Sequence, residues 1–178
     1  MFKLSMNASV CVAAAILNST SQAELVDTFV IGEGASTAWI QFDFTIGNSY
    51  LYEINWDGSS LSGRDVFDLI QSEQSELFDF SYISYSFGDF LTSVTIGDDT
   101  DTGDGSEAPD YSNYWHYWTR SGGDPWESSM VGFNSRFLED GDWDGWVFGN
   151  GDTPEQIPAP GAIGLVSLLG LSRRRRRN

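Results

Sequence analysis

The chain has 178 residues, with 26 Asp and Glu against 9 Lys and Arg and a formal charge of −17. That balance repels nucleic acid phosphates and anionic lipid and attracts cations or basic partners, so it excludes nucleic-acid binding. The length suits one domain with short processing segments. The charge is unevenly distributed. Residues 24–153 hold 25 Asp and Glu against Arg64, Arg120 and Arg136, a body charge of −22, while five arginines gather at the C-terminal end. The one cysteine, Cys11, lies in the first 23 residues, so the body has neither disulfide nor thiolate chemistry.

Residues 1–23 have the three parts of an export signal. Lys3 supplies the positive start, residues 10–17 the apolar run, and Ser21 and Ala23 the small residues that flank Gln22, so cleavage is expected after Ala23. Residues 25–31 predict a strand. Residues 37–44 alternate strictly, with Ala38, Ile40, Phe42 and Phe44 on one face and Trp39, Gln41 and Asp43 on the other, which predicts a half-buried strand. Gly47-Asn48 turns the chain into a partner strand at 50–56, giving an antiparallel hairpin. The period then changes. Val66, Phe67, Leu69 and Ile70 are spaced for a helix over 64–75, and Ser62 with Asp65 forms a capping-box pattern.

Residues 78–86 and 90–96 predict two further strands. Residues 97–110 carry six acids, three glycines and no large apolar side chain, and predict a solvated loop. Residues 111–119 re-enter the sheet, 130–138 contribute a strand, 146–148 form a last short one, and 149–160 is linker-like. The expected fold class is α+β, mainly antiparallel β-sheet with one short amphipathic helix. The expected divisions are a signal peptide (1–23), an acidic domain (24–152), and a linker with tail (153–178).

The candidate ligand-binding residues are Tyr114, Trp115, His116, Tyr117 and Trp118. In a strand, Tyr114, His116 and Trp118 point one way and Trp115 and Tyr117 the other. One face can build core while the other lines a cleft for a flat ligand or sugar ring. His116 is the chain's single imidazole, with no second histidine or body cysteine to complete a zinc site. No G-x-S-x-G elbow presents a nucleophile, and the many carboxylates single out no glycosidase pair, so an enzyme is not expected and no cofactor is required. Asp140, Asp142 and Asp144 have D-x-D-x-D-G spacing suited to calcium, against the plainer reading of an acidic turn. Gly151 stands where an EF-hand loop needs a glutamate. Asp98, Asp99, Asp101, Asp104, Glu107 and Asp110 form a denser acidic group without a defined loop spacing.

The C-terminal segment joins Pro158, Ala159 and Pro160 to an apolar stretch (163–171) and the run Arg173, Arg174, Arg175, Arg176 and Arg177. This layout resembles the sorting signal of PEP-CTERM proteins, with Ala159 where the motif's glutamate would stand. The resemblance implies export, transient membrane association through the tail, processing by an exosortase-type protease, and a place at the cell surface or in extracellular matrix. Residues 157–172 would extend only about 24 Å as a helix, against about 30 Å of bilayer hydrocarbon, which suits a transient substrate better than a lasting anchor. The body more faintly resembles small exported domains related to the C-terminal domain of transcobalamin-like proteins. The matching pieces are the post-hairpin helix, Phe87-Gly88-Asp89-Phe90-Leu91 leading into Ser93-Val94, residues 114–118, and Asp140-Gly141-Asp142. That resemblance implies an α+β domain whose aromatic surface covers a flat ligand; cobalamin binding itself does not follow. The leading expectation is an exported, non-catalytic interaction domain. The alternatives are a small-molecule or polysaccharide binding module using the aromatic strand, and a calcium-stabilised adhesin-like domain.

Overall fold

A computed structural model describes residues 24–109, 111–149 and 151–157. The export signal (1–23), Asp110 and the sorting signal from Pro158 to Arg177 lie outside the described residues. The elements in chain order are β1 (Glu24–Ile31), β2 (Ser36–Asp43), β3 (Asn48–Trp56), α1 (Gly63–Glu73), β4 (Phe78–Tyr85), β5 (Gly88–Ile96), β6 (Asp99–Thr102), β7 (Trp115–Ser121), β8 (Glu127–Ser128), a 3-10 turn (Phe133–Ser135) and β9 (Asp142–Phe148). This is an α+β fold with one short α-helix among the described residues.

The alternation of β2 places Ala38, Ile40 and Phe42 in the core, fully buried. Its opposite face is buried too at Gln41 and Asp43, because β2 is a central strand. It pairs antiparallel with β3 and parallel with β9. The large sheet runs β1-β3-β2-β9-β7-β8 and the small one β4-β5-β6. The large sheet is mixed, with β1 parallel to β3 as well.

Helix α1 begins where expected. Ser62 accepts from the Asp65 backbone N–H, and the Asp65 side chain accepts from the Ser62 N–H at 2.9 Å. This satisfies two of the donors that a helix start leaves free. Val66, Phe67 and Ile70 turn onto the sheets. Phe67 is the centre of the packing, with ring contacts to Phe42, Phe78, Phe80, Phe133 and Trp146 at centroid distances of 5.0–5.8 Å.

Four local expectations are corrected. Residues 97–110 are not all loop, because β6 pairs antiparallel with β5 and its carboxylates find neutral donors. Asp99 Oδ2 accepts from Asn48 Nδ2 and the Tyr50 hydroxyl, both at 2.7 Å, and Asp101 accepts from the Thr45 N–H and hydroxyl, both at 2.8 Å. Burial and the Asp99 carboxylate push the Tyr50 phenol up to about 12. Residues 130–138 form no strand; they hold the 3-10 turn and a single bridge between Ser62 and Phe137. The final strand starts at Asp142 rather than 146. Residues 151–157 are no free linker, since Pro154 is buried on the outer face of the large sheet.

Candidate functional site: an aromatic cleft

The turn between β4 and β5 meets the loop before the 3-10 turn through two glycines. A Cβ on Gly88 would stand 2.8 Å from the Gly132 Cα, and one on Gly132 would stand 2.6 Å from the Asp89 nitrogen. Gly88 also has φ of 126°, a conformation open to glycine. Asp89 N–H donates to Asn134 Oδ1 at 2.8 Å and locks the contact. This close approach sets Phe87 beside Met130 and Val131.

Between these residues and β7 lies a cleft of about 300 Å³. Its inner wall includes Leu91, Trp115, Tyr117 and Trp146, and its outer wall includes Phe90, Tyr114 and His116. The rim is apolar and open, with Phe87 61% and Met130 92% exposed. A row of rings leads along it. Tyr85 stacks on Phe87 at 5.1 Å, Phe90 meets Tyr114 at 5.6 Å, and Tyr114 meets His116 at 3.9 Å.

The five predicted ring residues divide. Trp115 is buried in the core against Phe42 and Phe44. Tyr117 stacks on Trp146 with ring centroids 4.1 Å apart and planes 2° from parallel. Trp118 lies outside the cleft, half-buried, opposite Gly145. Rings of both strand faces border the cleft because β8 pairs only with Trp118 and Thr119, and beyond it only the Ser129 N–H reaches the β7 edge, at the Tyr117 carbonyl (2.8 Å). Sequence reasoning missed Met130, Val131 and Ser129, which come from a segment with no periodicity. The exposed apolar pair Met130-Val131 after two serines was the available signal.

The polar groups described around the cleft are engaged or enclosed by the protein, which leaves rings and apolar side chains as its main contact surface. Burial lowers the His116 pKa, favouring the neutral ring, and its Nε2 lies 2.9 Å from the Gly149 carbonyl oxygen. Trp146 carries a buried indole N–H with no protein acceptor among the described residues. Asp89 is already committed, its two oxygens facing Arg64 Nη1 at 3.4 Å and the Ser84 hydroxyl at 2.6 Å.

The Asp140–Asp142–Asp144 series does not converge on a metal position. Among the described residues, no three His, Cys, Asp or Glu side chains are grouped to hold a metal ion. Asp142 and Asp144 are buried in β9 and face Arg136. Arg136 Nη2 lies 2.8 Å from Asp142 Oδ2 and its Nε lies 3.3 Å from Asp144 Oδ1. Ser121 donates to Asp142 at 2.7 Å and the Tyr117 hydroxyl to Asp144 at 2.6 Å. Asp140 turns away and accepts from the Thr37 N–H at 2.8 Å. The inward carboxylates are balanced by a guanidinium, which is why the spacing reads as a cation loop in sequence and is none in space.

Two carboxylates share one guanidinium here, and burial pushes the Asp144 carboxyl up to about 6. The native state therefore keeps a proton that the unfolded chain releases near pH 4. This contribution to stability is present below pH 4 and is lost as pH rises through about 6, on the order of 3 kcal/mol. Denaturant midpoints between pH 4 and 7.5 are expected to fall more steeply in the wild type than in Asp144→Asn. Parallel profiles would contradict the burial of an ionisable Asp144.

No protein-family profile and no curated protein matches this sequence. Among solved structures, the chain is similar to a protein from Ruminococcus gnavus to which metal binding has been ascribed. The identity is 19% and the TM-score 0.41, over 66% of this chain and all of that one. At that TM-score the likeness carries nothing about function.

Proposed function

We propose that the body is a non-catalytic binding module of an exported protein, taking a neutral or cationic ring-sized ligand in the cleft beside β7. The observation that carries this reading is the open apolar rim of Phe87, Met130 and Val131 over walls of packed rings. Large exposed apolar side chains around a concavity mark a place where a partner is meant to cover them. The volume is at the low end of small-molecule sites, which favours one ring system or a short sugar over a large cofactor. The body charge of −22 disfavours anionic ligands. The Asp142–Asp144 pair is buried on Arg136, so it is not offered to a glycosidic substrate, which supports binding over hydrolysis.

The export signal and the PEP-CTERM-like tail support delivery to the cell surface or extracellular matrix, with an exosortase-type protease as the processing partner. The faint transcobalamin-like resemblance agrees with a flat ligand. Titration with riboflavin, a flat neutral ring system, and with cellobiose, a sugar, tests the reading through tryptophan emission, since Trp115 and Trp146 line the cleft. One of the two is expected to give a saturable change that Tyr114→Ala weakens at least fivefold. No response to either, or one unaltered by Tyr114→Ala, counts against the cleft.

A further inference from the structure

The turn that joins β7 to β8 builds another concavity, apart from the aromatic cleft. Gly122, with φ of 54°, lets the chain reverse, and its N–H donates to the Gly141 carbonyl at 2.9 Å, which ties the turn to the loop before β9. The reversal brings Trp126 back onto Arg120, the cross-strand partner of Trp143. The guanidinium carbon stands 4.4 Å from each ring centre, in the corner of two indoles set at 84°. Indole contacts hold a guanidinium in place but leave its N–H groups in need of acceptors.

Those acceptors are not supplied by the described residues. Arg64 and Arg136 pair with carboxylates. Among the described residues no carboxylate pairs with Arg120, and its buried Nε has no acceptor. Burial alone moves its pKa, downward, as for a cation with no opposite charge at hand. In a body with 25 Asp and Glu against three arginines, such an arginine is an exception. Arg120 borders a hollow of about 260 Å³ that Arg136 also lines, so two of the three body arginines share it. The walls carry both signs: Arg120 and Arg136 are half-buried, while Asp124 and Glu127 stand exposed at the mouth. Arg136 Nε and Nη2 are engaged by Asp144 and Asp142, which leaves Arg120 as the open guanidinium.

We propose that this hollow is a site for a small zwitterion of the α-amino acid class, its carboxylate meeting Arg120 and its ammonium facing Asp124 and Glu127. A planar carboxylate matches the N–H fork of a guanidinium, and the pair gives strong charge-assisted hydrogen bonds. A plain anion would meet the two carboxylates at the mouth and a body charge of −22, and a plain cation would leave Arg120 unmet. A zwitterion is neutral overall and answers both signs. The volume lies below the usual range of small-molecule pockets, and Pro125 is the one apolar residue in the lining, so a short side chain fits best. The site shares no lining residue with the aromatic cleft and stands or falls without it.

Titration of the full chain with L-alanine, followed by NMR at the Arg120 Nε–H and at the Thr119 and Ser121 amides, tests the site. Saturable shifts are expected at all three. Propionate, which lacks the ammonium, and ethylamine, which lacks the carboxylate, are each expected to bind at least fivefold more weakly. Arg120→Gln is expected to remove the L-alanine shifts at Thr119 and Ser121. In the double variant Asp124→Asn with Glu127→Gln, L-alanine is expected to lose its advantage over propionate, a change of preference that partial unfolding would not produce. No saturable shift with L-alanine in the wild type, or shifts that survive Arg120→Gln, overturn the site. Propionate binding as well as L-alanine in the wild type, or an advantage kept in the double variant, overturns the zwitterion.

Discussion

Replacing Arg136 with Met lowers the unfolding free energy at pH 7 by about 3–5 kcal/mol, the usual cost of removing one partner from a buried ion pair. Arg136 is the one cation facing Asp142 and Asp144 among the described residues. Its loss leaves two carboxylates in β9 with hydrogen bonds but no opposite charge, inside a domain class whose total stability is about 5–15 kcal/mol. The long Met side chain keeps most of the volume, so the loss reports charge rather than a hole. Part of the loss is expected to return at pH 5, where the carboxylates can take protons. Urea unfolding at both pH values measures this. A variant within 1 kcal/mol of wild type at pH 7 would mean that the cluster is solvated.

Phe67→Ala is the second large effect, about 3–5 kcal/mol. Phe67 joins three parts of the fold: Phe42 and Trp146 on the large sheet, Phe78 and Phe80 on the small one, and Phe133 in the 3-10 turn. Its removal opens a cavity where helix and both sheets meet, a place that cannot collapse without moving all of them. The same urea measurement applies, and a cost below about 1.5 kcal/mol would place Phe67 at the margin of the core. The 3-10 turn precedes Arg136, so the variant also loosens the loop that carries the guanidinium.

The parts of this fold legible in the sequence are the local ones. The β2–β3 hairpin follows from strict alternation and the Gly47-Asn48 turn, and α1 follows from period and capping box, each within a single continuous segment of the chain. What was not legible depends on distant partners. The parallel pairing of β2 with β9 joins Trp39 to Trp143, and no pattern in either segment announces the other. Asp142 and Asp144 read as a water-facing turn because carboxylates normally avoid the interior; the partner that reverses this, Arg136, stands in a stretch without periodicity. Asp99 and Asp101 read as loop for the same reason, since Thr45, Asn48 and Tyr50, which satisfy them, lie some fifty residues earlier.

Of the candidate cleft, the sequence showed the aromatic run at residues 114–118, of which 114–117 line it. It left open which rings would remain accessible, because that depends on where β8 stops covering the strand edge and on a glycine contact between two loops. The rim of Phe87, Met130 and Val131 exists only through that contact.

The most direct measurement is an amide shift map of the protein during titration with whichever of riboflavin or cellobiose changes the tryptophan emission. The cleft account predicts the largest shifts at Phe87, Tyr114, His116, Met130 and Val131, and little change at Trp39 or Glu155 on the outer face. Shifts gathered on the outer face, or around Arg120 and Asp124, would place the ligand elsewhere and contradict it.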